Sequence, residues 1–203
     1  IWAVKPQVFK EAAELTLPYL AKPLHLSIAA GITLSTMASS LQSQQLIRAM
    51  PNTPALIGLG MTGLVAQSSV TEAQKQWVAE IVATLGQSIW VEQENLIDAV
   101  TAVSGSGPAY VFLFAQSMIE AGEKLGLSAD QAKQLTLATL QGATELALRS
   151  TANLQELRQQ VTSKGGTTYA AITTMQAEKM PEAIHQGVDA AYLRAQELGQ
   201  ELA

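Results

Sequence analysis

Along the first half of the chain, short apolar runs alternate with stretches in which apolar positions recur at helical spacing. The runs Ile1–Val4, Leu24–Ala30 and Leu46–Met50 read as strands, and the intervening Val8–Leu20 and Leu34–Leu41 read as helices. Strand, helix and strand at roughly 20-residue spacing is the pattern of right-handed βαβ units in a mostly parallel sheet. Further strands are predicted at Met61–Ala66 and Ser88–Val91, with a helix over Thr71–Leu85 between them. Thr71 with Gln74 three residues on forms a capping box, and Gly86 is expected to end that helix.

From Leu96 the period changes to 3.6 and strand-like runs vanish. Helices are predicted over Pro108–Leu125, stopped by Gly126, and over Ser128–Arg149, with Ser128 and Gln131 as a second capping box. Others span Asn153–Val161, Thr168–Glu178 and Pro181–Leu202, with Pro181 suited to a first helical position. Residues 1–97 are therefore expected to form an α/β domain and residues 98–203 an all-α domain. The helices carry more apolar and small residues (Leu135, Ala138, Leu140, Ala143, Leu146, Ala147) than one face of a thin bundle can bury, which points to a subunit interface.

Composition narrows the function. With 48% hydrophobic residues the 203-residue chain has ample material for a core, and a net charge of -5 without a basic cluster speaks against nucleic acid. There is no cysteine, which removes disulfides and thiolate chemistry, and the two histidines, His25 and His185, lack the spacing of metal ligands. No apolar run approaches the ~20 residues of a membrane span and no signal-peptide pattern opens the chain, so no membrane partner and a cytoplasmic address are expected.

Five stretches could carry chemistry. Ala3-Val4-Lys5-Pro6 and Ile28-Ala29-Ala30-Gly31 follow predicted strands, where open α/β sheets collect ligands, although each also reads as an ordinary strand stop or turn. Met50-Pro51-Asn52-Thr53-Pro54 is a stiff loop suited to binding or to a tight turn. Ser104-Gly105-Ser106-Gly107-Pro108-Ala109-Tyr110 reads as a helix start whose free N–H groups would accept an anion, or as a hinge between the two halves. Val161-Thr162-Ser163-Lys164-Gly165-Gly166-Thr167-Thr168 is the most specific: paired glycines let amides converge into an anion-binding nest, and a Thr-Thr pair can cap the next helix while pointing hydroxyls at the same spot.

In this order and spacing these motifs resemble the pyrroline-5-carboxylate reductases along the whole chain. The resemblance implies a partial Rossmann-type domain followed by a helical dimerisation domain, and reduction of 1-pyrroline-5-carboxylate to L-proline with NADPH or NADH by a homodimer or larger homo-oligomer. Ala3, Val4, Lys5 and Pro6, then Ile28, Ala29 and Ala30, match the family's cofactor contacts. Asn52 falls in its conserved loop near the cofactor, and Gln160 where relatives carry an asparagine beside the ribose. Ser163, Gly165, Gly166, Thr167 and Thr168 match the loop that holds the substrate carboxylate, with Thr168 as the catalytic group at the ring nitrogen. Lys164 stands where many relatives have proline.

Imine reduction needs a positioned hydride donor, an anchor for the carboxylate and a proton for nitrogen, but no metal, nucleophile or triad. No glycine-rich turn that opens a helix is present to hold a pyrophosphate. Gly58-Leu59-Gly60-Met61-Thr62-Gly63 has the letters but is expected to open a strand. The expectation is a chain lacking the family's amino-terminal Gly-rich segment, inactive if truly truncated. A non-catalytic dimerisation fragment and a related β-hydroxyacid dehydrogenase or imine reductase are the alternatives.

Overall fold

In the computed structural model, which describes residues 1–202, the apolar runs of the first half become a four-stranded sheet in the order β1 (His25–Ser27), β2 (Leu46–Met50), β3 (Gly60–Ala66) and β4 (Gly86–Trp90). Helices α1 (Phe9–Thr16), α2 (Leu34–Leu41) and α3 (Glu72–Ala83) lie between them in sequence, and α4 (Leu96–Val100), α5 (Gly107–Lys124), α6 (Ala129–Arg149), α7 (Leu154–Gln160), α8 (Thr167–Ala177) and α9 (Met180–Glu201) follow.

Connection length decides strand direction. β1 and β2, joined through α2, are parallel, as are β3 and β4, joined through α3; residues 51–59 are too few for a helical crossover, so β2 and β3 are antiparallel. The predicted strand Ile1–Val4 shrinks to a parallel bridge between Trp2 and Ser27, with Trp2 N–H donating to Leu26 O at 2.7 Å and Ile28 N–H to Trp2 O at 3.0 Å.

Both expected capping boxes form, at Thr71/Gln74 and Ser128/Gln131, and a third, Asn153/Glu156, opens α7. Gly86 does not cap α3, which ends at Ala83 with Thr84 as its cap; it opens β4 at φ 135°, where a Cβ would sit 2.2 Å from the Gly60 carbonyl oxygen. Close approach of β3 and β4 therefore requires this glycine.

The chain forms two compact units. The first comprises residues 1–108 with 187–203, and the second residues 109–186. In the first, one apolar cluster gathers Phe9, Ile32, Met37, Leu46 and Ile97, with Trp2 and Leu202 packed against it, and another gathers Ile47, Leu64, Val78 and Val82. The second is built of helices whose apolar residues stay largely exposed: within residues 109–186 only Ala115, Ala132 and Thr136 are buried, while Phe112, Leu113, Leu148 and Leu154 are 66–73% exposed.

The Ser104–Pro108 stretch corrects the sequence reading. It is neither a loop nor a free helix start, because residues 101–105 form a π-helical turn that joins α4 to α5, and the Ser106 N–H reaches the Thr101 carbonyl at 2.8 Å. The resulting 29-residue stretch Leu96–Lys124 is long and apolar enough to cross a membrane by length and composition. The sequence reading passes over it because Asp98, Thr101, Ser104 and Ser106 interrupt the apolar run.

Candidate functional site

In the first unit, the Trp2–Ser27 pairing sets two of the singled-out stretches side by side. Ala3–Pro6 and Ile28–Ala30 leave adjacent parallel strands at the same carboxyl edge. Ala3, Lys5, Ile28 and Ala30 are exposed, whereas Ala29 turns inward and takes part in the core. Ser27 Oγ accepts from the Ala29 N–H at 3.2 Å and tightens the exit from β1, and Gly31 completes the turn at φ 76°. Met50–Asn52 leaves β2 at this edge, next in the row.

Asn52 is held at both ends of its amide. Its Oδ1 accepts from the Met61 N–H at 2.9 Å, and its Nδ2 lies 3.2 Å from the Ser104 carbonyl and 3.3 Å from the Ser104 hydroxyl. The Gly58–Gly63 letters open β3, not a helix, and so present no helix N-terminus.

Sequence reasoning missed a buried charge cluster behind this edge. Arg48, 4% exposed in the middle of β2, donates to Glu94 Oε1 at 3.0 Å and faces Asp98 at 3.8 Å. The same Glu94 oxygen accepts the Leu34 N–H at 2.7 Å, satisfying the first turn of α2. Burial pushes the Asp98 carboxyl above its ordinary range; Arg48 opposes that shift and Glu94 adds to it. An arginine in an otherwise apolar five-residue strand was the available signal.

His25 is also buried, its Nδ1 accepting the Trp2 indole N–H at 3.1 Å. Burial, and secondarily the positive chain terminus, lowers its pKa below 6.5. Among the described residues no group of three or more His, Asp or Glu side chains is placed to hold a metal ion.

In the second unit, Ser163, Gly165 and Gly166 lie in the turn between α7 and α8, and Thr167 and Thr168 are the first two residues of α8. Thr162 ends α7 by donating its hydroxyl to the Arg158 carbonyl at 2.6 Å. Gly165 then takes φ 76°, and the Gly166 N–H donates to the Ser163 carbonyl at 3.0 Å, folding the chain back on itself. Gly166 caps α8 without a side chain, so the N–H groups of Thr167 and Thr168 open the helix with no intrahelical partner. A Cβ on Gly166 would lie 2.7 Å from Ser163 Oγ. Thr168 is half-buried, while Ser163, Lys164, Gly165 and Thr167 are exposed. Gln160 is the exposed last residue of α7.

Backbone donors at a helix start, two hydroxyls and Lys164 suit a small carboxylate. The cavity of about 600 Å³ in this unit lies elsewhere, on the flank of α6 among Leu127, Gln131, Leu135 and Ala138, and contains none of the expected site residues.

The chain is similar to known proteins along its whole length. The sequence model described as pyrroline-5-carboxylate reductase dimerisation matches residues 94–198. The chain is 45% identical to a pyrroline-5-carboxylate reductase of Pseudomonas aeruginosa, over 100% of this chain and 75% of the relative, and 39% identical to one of Synechocystis, over 98% and 74%. Among solved structures, a Plasmodium falciparum pyrroline carboxylate reductase with NADP bound superposes with a TM-score of 0.90 at 32% identity, covering 97% of this chain and 80% of that one. A Coxiella burnetii pyrroline-5-carboxylate reductase gives 0.90 at 39% identity, with 97% and 74% covered. A partly parallel sheet and a run of helices, joined to matches that span the whole chain, place it without ambiguity: the chain belongs to the pyrroline-5-carboxylate reductase family.

Proposed function

We propose that the chain reduces 1-pyrroline-5-carboxylate to L-proline, the last step of proline biosynthesis, with NADPH or NADH as the reductant. The observation that carries the reading is the Ser163–Thr168 segment, in which the Ser163 hydroxyl lies beside the glycine-capped start of α8 and Lys164 adds a positive charge in the same short segment, a donor set suited to a carboxylate.

The first unit fits a dinucleotide. Two adjacent carboxyl edges present small or backbone-accessible residues, Ala3 and Val4 beside Ile28 and Ala30, which a flat ligand can approach closely, and Lys5 suits its phosphates. Ala3, Val4, Lys5, Pro6, Ile28, Ala29 and Ala30 make up the cofactor row and Asn52 shapes its end; the family resemblance assigns Gln160 of α7 to the cofactor as well. When bound, the reduced nicotinamide supplies the hydride.

The chain's own residues do the positioning. The leading N–H groups of α8 and the Ser163 hydroxyl grip the substrate carboxylate and so fix the ring. The Thr168 hydroxyl orients the ring nitrogen and keeps its proton in place, which leaves the neighbouring carbon electron-poor. The flexible Gly165-Gly166 backbone brings the donors close enough for a ligand of that size.

The exposed apolar helices of residues 109–186, and the apolar stretch 96–124 with them, are assigned to a second copy of the chain, which gives a homodimer or a larger homo-oligomer. A cytoplasmic location suits a biosynthetic enzyme of this kind, and no nucleic acid or membrane partner is required.

The test is a NADPH-dependent proline-forming assay on purified protein of verified intact mass, with light scattering to count subunits. Proline formation by an oligomer is expected. A chain of only these 203 residues that self-associates but neither binds NADPH nor forms proline would favour the non-catalytic dimerisation module.

A further inference from the structure

Helix α4, the π-helical turn and α5 run on without a break, yet Pro108 stands near the start of α5. A proline has no N–H for the carbonyl four residues earlier, here that of Ser104, and its ring crowds that same carbonyl. Widening the preceding turn by one residue, as a π-helical turn does, relieves the crowding.

Asn52 supplies the missing donor. Its Nδ2 lies 3.2 Å from the Ser104 carbonyl, while its Oδ1, bonded to the Met61 N–H, anchors the side chain to β3. The turn rests on the end of β2, since a Cβ on Gly105 would lie 2.8 Å from the Met50 methyl. It therefore stands where the row of strand exits Ala3–Pro6, Ile28–Ala30, Met50–Asn52 finishes. Lys5, the cationic side chain of that row, lies at the opposite end. Beside the turn the nearest charges, Glu94 and Asp98, face the buried Arg48, and Val103 on the turn is 65% exposed. A phosphate suits the Lys5 end and a nicotinamide ring the Val103 end.

We propose that Asn52 is a positioning residue: its amide stands in for the N–H that Pro108 lacks and fixes the π-helical turn as the end wall against which the reacting ring rests. This inference rests on the reading of the strand exits as the cofactor row.

The experiment compares the intact enzyme with Asn52→Ala, Pro108→Ala and the double variant. It measures kcat, NADPH affinity by fluorescence titration and thermal stability. Asn52→Ala should lower kcat tenfold or more while the NADPH Kd moves less than threefold, because the phosphate end is untouched. Adding Pro108→Ala restores an N–H at position 108 and should recover at least fivefold of the loss, although the Met61 contact stays broken in both.

A kcat within twofold of the unsubstituted enzyme overturns the proposal. So does a parallel loss of kcat and NADPH affinity, which would make Asn52 a direct cofactor contact, and so does a double variant no faster than Asn52→Ala. If Asn52→Ala fails to fold, recovery of fold and turnover in the double variant supports the proposal and its absence overturns it. An unsubstituted enzyme that does not bind NADPH overturns the cofactor reading itself, and the inference with it.

Discussion

Gly166 lies directly against Ser163: a methyl group added at its Cα would come within 2.7 Å of the Ser163 hydroxyl oxygen and 3.1 Å of its carbonyl oxygen. Gly166→Ala must therefore push the hydroxyl out of the turn. Because the residue sits at φ -80°, where alanine is unstrained, the fold should survive. The expected result is a substrate KM raised tenfold or more, with the melting temperature within a few degrees of the parent; steady-state kinetics with saturating NADPH checks it.

Thr168 is the second residue of α8 and half-buried in the same turn. Removing its hydroxyl in Thr168→Ala should lower kcat by about a hundredfold or more, within the roughly 10²–10⁴-fold range usual for a group acting on a proton at the reacting atom. Turnover kept within twofold would remove Thr168 from the mechanism.

Arg48 illustrates how far the sequence could be read and where it stopped. Periodicity located β2 and α2 at their observed bounds, and two capping boxes came from spacing alone, because those signals lie within a few neighbouring residues. The Ser163–Thr168 turn was legible for the same reason. The partners of Arg48 lie at positions 94 and 98, and although its apolar neighbours in Leu46–Met50 mark it as unusual, nothing local names what pairs with it. The π-helical turn was hidden likewise, since the donor to Ser104 is Asn52, far away in sequence. A Ser-Gly-Ser-Gly-Pro string looks like a loop until a distant amide completes it.

Arg48→Met would leave Glu94 and Asp98 partly buried without their cation and would loosen the first turn of α2. A loss of roughly 3–5 kcal/mol is expected, the range for breaking one side of a buried pair. Urea unfolding gives the number, and a loss below about 1 kcal/mol would mean that solvent already compensates the two acids.

His25 sets an acid limit on stability. Its folded pKa lies below 6.5, so on acidification through that value the unfolded chain takes up a proton that the folded chain resists. Stability should therefore hold above about pH 6.5 and decline below it. His25→Gln keeps an acceptor for the Trp2 indole but cannot titrate, and should flatten this part of the profile. Melting curves between pH 5 and 8 decide, and parallel slopes in the two proteins would assign the decline to other groups.

The last helix has a consequence for how the protein is made. Residues 187–203 belong to the same compact unit as residues 1–108, and Leu202 packs against the core cluster that holds Phe9, Met37 and Leu46. During synthesis the strands emerge before the residues from 187 onward that complete the core around them. The helical residues 109–186 are thus an insertion within the first unit, and a stop codon placed shortly before residue 187 would leave the sheet unfinished although every strand had been synthesised.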